Sequence, residues 1–363
     1  SSFCGRRSRV PFGKPTMRLP VAKKVEFEAT AHGASWQDPY HWMSDVRDPD
    51  FIRYIDEENS YTHAFMRETE KMQKILYSEM VSRLPAEVTT APERWGPWLY
   101  YQYIPEGKEY PVLYRESALE GRGFMSSAFN AFRRESRSGQ VLLDWNEIAE
   151  KQGYVHVGMC RISPDHNYVA YTLDSSGHEN FQLQVKDLSS NIILPQPRVD
   201  GVMSLAWAQD SQTLLYTLCD QNQRPYRVLC TKIGSCSKDG DIVFTEDDSR
   251  FCMDITSTKD GKFITLNSNS RTSSEVYVIS AANPRAGLRR FCKRKDGVQF
   301  FLEHHCGTFY ALTNASTSDY ENNSDSGYYL ALYRDEELES TNLKGRIMPG
   351  DNIFLEDMDI CYG

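Results

Sequence analysis

The sequence of 363 residues is 40% hydrophobic, 12% aromatic and 25% charged, with a formal net charge of −9. This composition is typical of a folded protein with a sizeable core and excludes disordered and collagen-like classes. No run of eighteen apolar residues occurs, so we expect no membrane span. The acidic balance argues against nucleic acid as a partner and favours basic peptides or proteins, which it attracts over long distances.

The cysteines and the N-terminus bear on the compartment. Nine cysteines occur without a CxxC pair, and their odd number favours a reduced, intracellular protein. Residues 1–25 contain seven Lys and Arg and no Asp or Glu. Two interpretations of this basic tail stay open: a disordered extension of a cytoplasmic protein, or the remnant of a transit peptide for a plastid or mitochondrion.

Residues 26–84 are predicted to form an extended segment followed by a helical one. The cluster DPYHWMSD occupies residues 38–45, and Asp48 with Pro49 forms a good N-cap and first-turn pair. Apolar residues then recur at three- and four-residue intervals, at Phe51, Ile55, Phe65, Met72, Ile75, Leu76, Met80 and Leu84. Asn59-Ser60 is a candidate break between two helices, and Leu84-Pro85 ends the helical pattern.

From residue 85 to residue 363 the pattern is that of short strands. The first group has a turn at Glu106-Gly107 and an outer strand at 141–145, separated by a polar insertion at 117–139. An approximate repeat follows, in which Asp165, Asp210, Asp260 and Gly307 each lie in a tight turn between two β-rich runs, at spacings of 45, 50 and 47 residues. That period is the length of one four-stranded propeller blade.

The predicted fold is therefore mainly β: an incomplete β-propeller of about five blades, preceded by the N-terminal helical segment. After the first blade, the others are expected at about 155–195, 201–240, 245–290 and 298–339, and NIFLEDMDICYG near the end supplies the start of a sixth. If the repeat is correct, Val169 and Leu214 take equivalent buried positions, with Tyr171 and Tyr216 on the same faces.

Several segments resemble the N-terminal half of the prolyl oligopeptidase family of serine peptidases, and specifically its oligopeptidase B branch. They are QDPYHWMSD, IDEENSYTHAF, GPWLYYQYIPEGKEYPVLYR and SPDHNYVAYTLDSSGHENFQLQVKDL, and the resemblance covers about residues 22–360. It implies a seven-bladed propeller that caps an α/β-hydrolase peptidase domain, with the helical segment packed on that domain. It also implies a preference for Lys or Arg before the scissile bond.

No catalytic residue is expected within the chain. The family's nucleophile lies in a GxSxGG elbow, followed by the Asp and then the His of the triad. No GxSxG occurs here, so Ser163 and Ser211 are interpreted as turn residues, and the triad is expected beyond Gly363. The chain alone is thus predicted to be inactive, and oligopeptides are expected as substrates only together with a catalytic domain.

The other candidate sites are interpreted as structural, and no cofactor or metal is expected. Neighbours in a strand point to opposite faces, so His304-His305 makes a poor metal site. His178-Glu179 is interpreted as part of a polar turn, and the alternative is a hinge or a contact with substrate. Two acidic clusters are interpreted as solvated turns, Asp247-Asp248 and Asp335-Glu336-Glu337. The six tryptophans are interpreted as packing anchors, and the glycosylation sequons at Asn314 and Asn322 as chance matches.

Two hypotheses for function remain. In the first, the chain is the N-terminal propeller part of an oligopeptidase-B-like serine endopeptidase and filters short peptides. In the second, it is a non-catalytic propeller interaction module. The DPYHW-plus-helix segment favours the first, and an unclosed propeller also allows self-association of the chain.

Overall fold

The computed structural model describes residues 18–85, 88–118, 139–235, 240–315, 327–335 and 343–347, together with residues 355, 357 and 358. The chain divides into two compact units, residues 1–86 and residues 87–363. Residues 119–138 of the predicted insertion at 117–139, the polar loop around residues 316–326 and most of NIFLEDMDICYG lie outside the described residues.

The first unit is a short hairpin followed by helices. Its elements are β1 (Glu28–Ala31), β2 (Ala34–Gln37), a 3-10 helix (His41–Ser44), α1 (Pro49–Met66), a 3-10 turn (Arg67–Thr69) and α2 (Glu70–Ser82). The predicted cap is confirmed, since the Asp48 side chain accepts a 2.7 Å hydrogen bond from the backbone N–H of Asp50.

The predicted break at Asn59-Ser60 is wrong. Both residues lie exposed within α1, where solvated polar side chains do not disturb the backbone. The interruption falls instead at Arg67–Thr69. There the Thr69 hydroxyl donates a 2.6 Å hydrogen bond to the carbonyl of Met66 and competes with the regular helical pattern.

The described part of the second unit contains five antiparallel sheets, numbered 1 to 5 along the chain. In sheet 1 both β3 and β4 pair with β5, which is followed by β6 and β7. Its strands are β3 (Val88–Thr89), β4 (Glu93–Trp95), β5 (Trp98–Ile104), β6 (Val112–Ser117) and β7 (Gln140–Asp144).

Sheets 2 to 5 repeat a four-stranded meander, to which sheet 2 adds one short strand. Sheet 2 contains β8 (His156–Ile162), β9 (Tyr168–Asp174), β10 (Gln182–Asp187), β11 (Ile192–Ile193) and β12 (Val199–Asp200). Sheet 3 contains β13 (Val202–Trp207), β14 (Thr213–Cys219), β15 (Pro225–Lys232) and β16 (Asp241–Thr245). Sheet 4 contains β17 (Cys252–Ser257), β18 (Phe263–Asn269), β19 (Ser274–Ser280) and β20 (Arg289–Cys292). Sheet 5 contains β21 (Phe300–His305), β22 (Thr308–Thr313), β23 (Tyr329–Arg334) and β24 (Leu343–Ile347).

The predicted outer strand of the first sheet is one residue too long at its end. Trp145 does not continue β7 but begins α3 (Trp145–Gln152), a helix that the sequence analysis missed. Asp144 is the cause, because its side chain accepts a 2.8 Å hydrogen bond from the N–H of Asn146 and so caps the helix.

The repeat is confirmed at the turn between the first two strands of sheets 2 to 5. Asp165, Asp210 and Asp260 lie in the turns of sheets 2, 3 and 4, and Cys306-Gly307 forms that of sheet 5. Cys306 and Gly307 have φ angles of 49° and 72°, as a two-residue hairpin turn requires.

Two predicted blade ends are too early. The third blade was expected to end at about 240, but β16 (Asp241–Thr245) belongs to sheet 3, and the fifth was expected to end at about 339, but β24 ends at 347. In both cases a polar segment without a strand pattern precedes the outer strand, so hydrophobic spacing does not indicate where it begins.

Apolar cores lie between adjacent sheets. Val169 and Tyr171 of sheet 2 pack with residues of sheet 1, whereas Leu214 and Tyr216 of sheet 3 pack with residues of sheet 2. All four are at most 1% exposed, so their predicted equivalence holds. Similar clusters join sheets 3 and 4 and sheets 4 and 5. Faces buried against the next sheet, rather than a single central core, define the unit as a β-propeller.

Candidate functional site

The cluster at residues 38–45 connects the hairpin to the first helix. The N–H of Tyr40 donates a 3.2 Å hydrogen bond to the Asp38 carboxylate, and the His41 ring stacks on Phe27 with 3.7 Å between the ring centres. The indole N–H of Trp42 donates to the carbonyl of Lys23 at 3.0 Å. These contacts join residues that precede the hairpin to residues that follow it, so the cluster has a local structural role.

Lys23 and Asp50 extend this connection to the start of α1. The Lys23 ammonium pairs with Asp50 and lies 4.8 Å from the centre of the Trp42 ring. Arg53 Nη2 lies 2.7 Å from the same carboxylate. The hydrogen bond from Lys23 lowers the pKa of Asp50, and the charge of Arg53 acts in the same direction.

The two helices expose apolar side chains along their length. No residue among 18–85 is buried, and the exposed apolar residues include Ile52, Ile55, Phe65, Met72, Ile75, Leu76 and Met80, which we call the helical surface. A soluble unit of this size normally buries such residues. At ~25 cal/mol per Å², covering several hundred Å² would contribute on the order of 10 kcal/mol. The helical surface is therefore the candidate docking site of this chain.

Hydrogen bonds connect residues in the turns between the first two strands of sheets 2 and 3. The Ser163 hydroxyl donates a 2.6 Å hydrogen bond to Asp165, whose own N–H donates to the hydroxyl of Ser211 in sheet 3 at 3.0 Å. Burial acts to raise the pKa of Asp165, but hydrogen bonds from Ser163 and Asn167 outweigh it and lower the pKa. Both serines thus hold turns together.

His166 joins sheet 2 to sheet 1 and was missed as a junction residue by the sequence analysis. Its Nδ1 lies 2.8 Å from the hydroxyl of Tyr100, and Arg115 donates a 2.6 Å hydrogen bond to its backbone carbonyl. Burial lowers the pKa of His166, and the charge of Arg115 lowers it further, so a neutral ring is favoured that accepts from Tyr100. No sequence pattern pairs these residues, which lie 66 and 51 positions apart.

A charged network holds the segment between sheets 3 and 4. Glu246 is 5% exposed, and its carboxylate binds Arg294 at 2.5 Å and also the hydroxyl of Ser268. The Arg294 guanidinium lies 3.2 Å from Glu275 and 3.6 Å from the centre of the Phe251 ring. From the other side, Arg224 Nη1 donates to the carbonyls of Glu246, Asp248 and Phe251.

Several residues weighed from the sequence have local roles. Asp248 accepts from Arg250, which lowers the pKa of Asp248 to about 2. The carbonyl of His178 accepts from Gln223, and the buried Asp174 fixes the turn ahead of Glu179 through four hydrogen bonds from Ser176, Gly177 and Glu179.

Not every predicted packing anchor is buried. Trp207 is 5% exposed and donates to the carbonyl of Arg161, but Trp36 and Trp95 are 50% and 42% exposed. The side chain of Asn314 holds the loop before β21 through Gln299 and Gly297, whereas Asn322 lies outside the described residues. Within the described part of the chain, no group of three His, Cys, Asp or Glu could hold a metal ion, and no helix is long and apolar enough to cross a membrane.

One face of sheet 5 differs from the corresponding faces of sheets 2 to 4. A row of paired residues crosses it: Phe301, Leu312, Leu330 and Ile347. Among the described residues, Phe301 and Ile347 at the two ends of this row are 46% and 55% exposed, whereas Leu312 between them is 2% exposed. In sheets 2 to 4 the face towards the next sheet packs against that sheet.

Comparisons with known proteins agree with this architecture. Residues 20–321 match the N-terminal β-propeller domain of prolyl oligopeptidase. Protease 2 of Moraxella lacunata is 30% identical over 307 residues, which are 84% of this chain and 43% of that protein. Dipeptidyl aminopeptidase BI of Pseudoxanthomonas mexicana is 27% identical over 346 residues, covering 94% and 47% of the two chains.

Solved structures show the same fold. Oligopeptidase B from Leishmania major has a TM-score of 0.78 at 20% identity, over 94% of this chain and 47% of that one. Oligopeptidase B from Trypanosoma brucei has the same TM-score at 22% identity, over 94% and 48%. The chain spans a little under half the length of the relatives it matches.

The chain belongs to the prolyl oligopeptidase family, and the matched region is the N-terminal β-propeller domain of that family.

Proposed function

We propose that this chain is the N-terminal propeller part of a serine endopeptidase of the oligopeptidase B type. The observation that carries the proposal is the helical surface, where no residue among 18–85 is buried and large apolar side chains face solvent. Relatives more than twice as long as the matched region have further sequence that could cover such a surface. In this proposal the covering part is the peptidase domain.

The propeller then restricts access to the catalytic centre. A rigid array of sheets next to a peptidase domain encloses a cavity that admits short peptides and excludes folded proteins. The net charge of −9 attracts basic peptides towards this cavity at low ionic strength. The nucleophile comes from outside the 363 residues, since they contain no GxSxG motif.

Activity-based labelling tests the proposal. The native polypeptide, isolated with an antibody against residues 18–85, is treated with a fluorophosphonate probe, and the labelled peptide is mapped by mass spectrometry. We expect one labelled serine outside residues 1–363, and cleavage of a short Arg-containing peptide but not of the same sequence in a folded protein. Residues 1–363 alone, as the control, should remain unlabelled.

Two results would contradict the proposal. Labelling of a serine within residues 1–363 would place a nucleophile in the propeller part. A native polypeptide that neither labels nor cleaves the peptide would favour the non-catalytic interaction module.

A further inference from the structure

The outer strands of sheets 4 and 5 carry exposed cations that the other sheets lack. The outer strands of sheets 1 to 3 contain no Lys or Arg. In contrast, β20 begins with Arg289 and Arg290, and β24 contains Lys344 and Arg346. Two exposed lysines follow β20 directly. We call these six exposed residues the basic rim: Arg289, Arg290, Lys293, Lys295, Lys344 and Arg346.

The two strands of the basic rim belong to neighbouring parts of the surface. The ring of Phe291 on β20 contacts the ring of Tyr333 on β23 edge-on, with 5.1 Å between the ring centres. Strand β23 pairs directly with β24. The cations of sheet 4 and those of sheet 5 therefore lie on either side of one junction.

Most of this charge is not neutralised within the described part of the chain. Arg290 Nη1 lies 3.7 Å from Glu275, and no other ion pair of a rim residue occurs among the described residues. Residues 285–295 contain six Lys and Arg and no Asp or Glu, although the net charge of the chain is −9. The neighbouring Arg294 is not part of the rim, because Glu246 and Glu275 hold it.

Strand β20 also has a free backbone edge. It is the last strand of sheet 4 and pairs only with β19. Within the described chain, the backbone of residues 289–292 makes no hydrogen bond outside that pairing. A free strand edge can accept one more strand, whose side chains then lie next to those of the edge strand.

We propose that the basic rim binds an extended acidic segment of another protein. Backbone pairing with β20 positions such a segment, and charge-assisted hydrogen bonds from the rim to its carboxylates select it. A phosphate-rich partner would match the charge but would not use the free edge, so the two features together favour a peptide. The inference goes beyond the proposed function and does not depend on it.

Fluorescence anisotropy with labelled peptides tests this proposal on the full chain. The probe is a decapeptide of alternating Glu and Thr, because threonine favours an extended backbone. We expect saturable binding that weakens as the salt concentration rises. The same peptide with Gln for Glu lacks the charge, and the peptide with Pro for Thr lacks half of the backbone donors. Both should bind more weakly, by about tenfold.

Substitutions in the rim locate the binding site. The first variant removes three exposed charges at and after β20, and we expect it to weaken binding of the Glu-Thr peptide about tenfold, since each exposed ion pair contributes little alone. It combines Arg289→Gln, Lys293→Gln and Lys295→Gln. If this variant does not fold, Lys344→Gln combined with Arg346→Gln should also weaken binding. An unchanged urea midpoint verifies the fold of each variant.

A matched control removes the same number of exposed cations outside the rim and should keep the wild-type affinity. It combines Lys151→Gln, Arg198→Gln and Lys232→Gln. Equal losses in the rim variant and the control would overturn the proposal, because the attraction would then not be specific to the rim. The absence of binding to the wild type would overturn it as well. Tighter binding of single-stranded DNA or of phosphatidylserine vesicles than of the peptide would assign the rim to phosphate groups instead and would also overturn it.

Discussion

Replacing Leu214 with Asp is expected to prevent stable folding of the propeller unit. Leu214 is 0% exposed in the core between sheets 2 and 3, alongside Ala170, Val185 and Tyr216. A carboxylate there would lie among apolar side chains and lose its hydration, at a cost of at least about 4 kcal/mol, which is a large part of the stability of a domain. Chemical denaturation of the wild type and of the variant measures the free energy of unfolding.

Gln212→Asp is the matched control for this substitution. Gln212 lies two residues earlier, in the exposed turn that Asp210 closes, so the same new charge remains hydrated. We expect it to change the free energy of unfolding by less than about 1 kcal/mol. Equal losses at the two positions would contradict the repeat register on which the propeller description depends.

The second large effect is expected from Arg294→Met. Methionine keeps a long apolar stem against Phe251 but removes the charge that neutralises Glu246 and Glu275, which are 5% and 12% exposed. Breaking a buried ion pair by removing one partner is strongly destabilising. Because Arg294 itself is 27% exposed, we expect a loss at the lower end of the usual range, roughly 3 kcal/mol. Urea denaturation at constant pH measures the loss.

Arg250→Met serves as its control. Arg250 pairs with Asp248 in the same segment but is 79% exposed, and exposed ion pairs contribute little to stability. We therefore expect a free energy of unfolding close to that of the wild type. If both arginine variants lose the same stability, the network around Glu246 does not hold the segment between sheets 3 and 4.

The repeat could be predicted from the sequence because its turns form through hydrogen bonds between residues that are close in the chain. Asp165, Asp210 and Asp260 accept backbone N–H groups two residues later, and such turns can be recognised from residue type alone. Apolar positions four residues after Asp165 and Asp210 are buried for the same reason, since a strand that starts at a fixed turn has a fixed alternation of faces.

The remaining features depend on contacts between residues that are distant in sequence. His166 with Tyr100, Arg294 with Glu246, and His304 with Asp260 are 66, 48 and 44 residues apart, and no local pattern indicates these pairings. The helix α3 was missed for a different reason. Asp144 ends a strand and caps a helix at once, and a run of apolar residues does not show where one stops and the other begins.

The helical surface was predicted only in part from the sequence. Its three- and four-residue spacing predicted an apolar face, and the structure shows that this face is exposed in Ile55, Met72 and Met80. The spacing of apolar residues predicts that a face will be covered, but not by what. That identification came from the family resemblance and forms part of the proposed function.

Hydrogen–deuterium exchange of α1 and α2 tests whether the helical surface is covered by the proposed peptidase domain. The backbone amides of residues 49–82 are followed by mass spectrometry in residues 1–363 alone and in the native polypeptide, with β14 as an internal reference for folding. We expect fast exchange of both helices in residues 1–363 alone and strong protection in the native polypeptide, because a covered helix opens less often. Equal exchange of the helices in the two forms, with β14 protected in both, would contradict it.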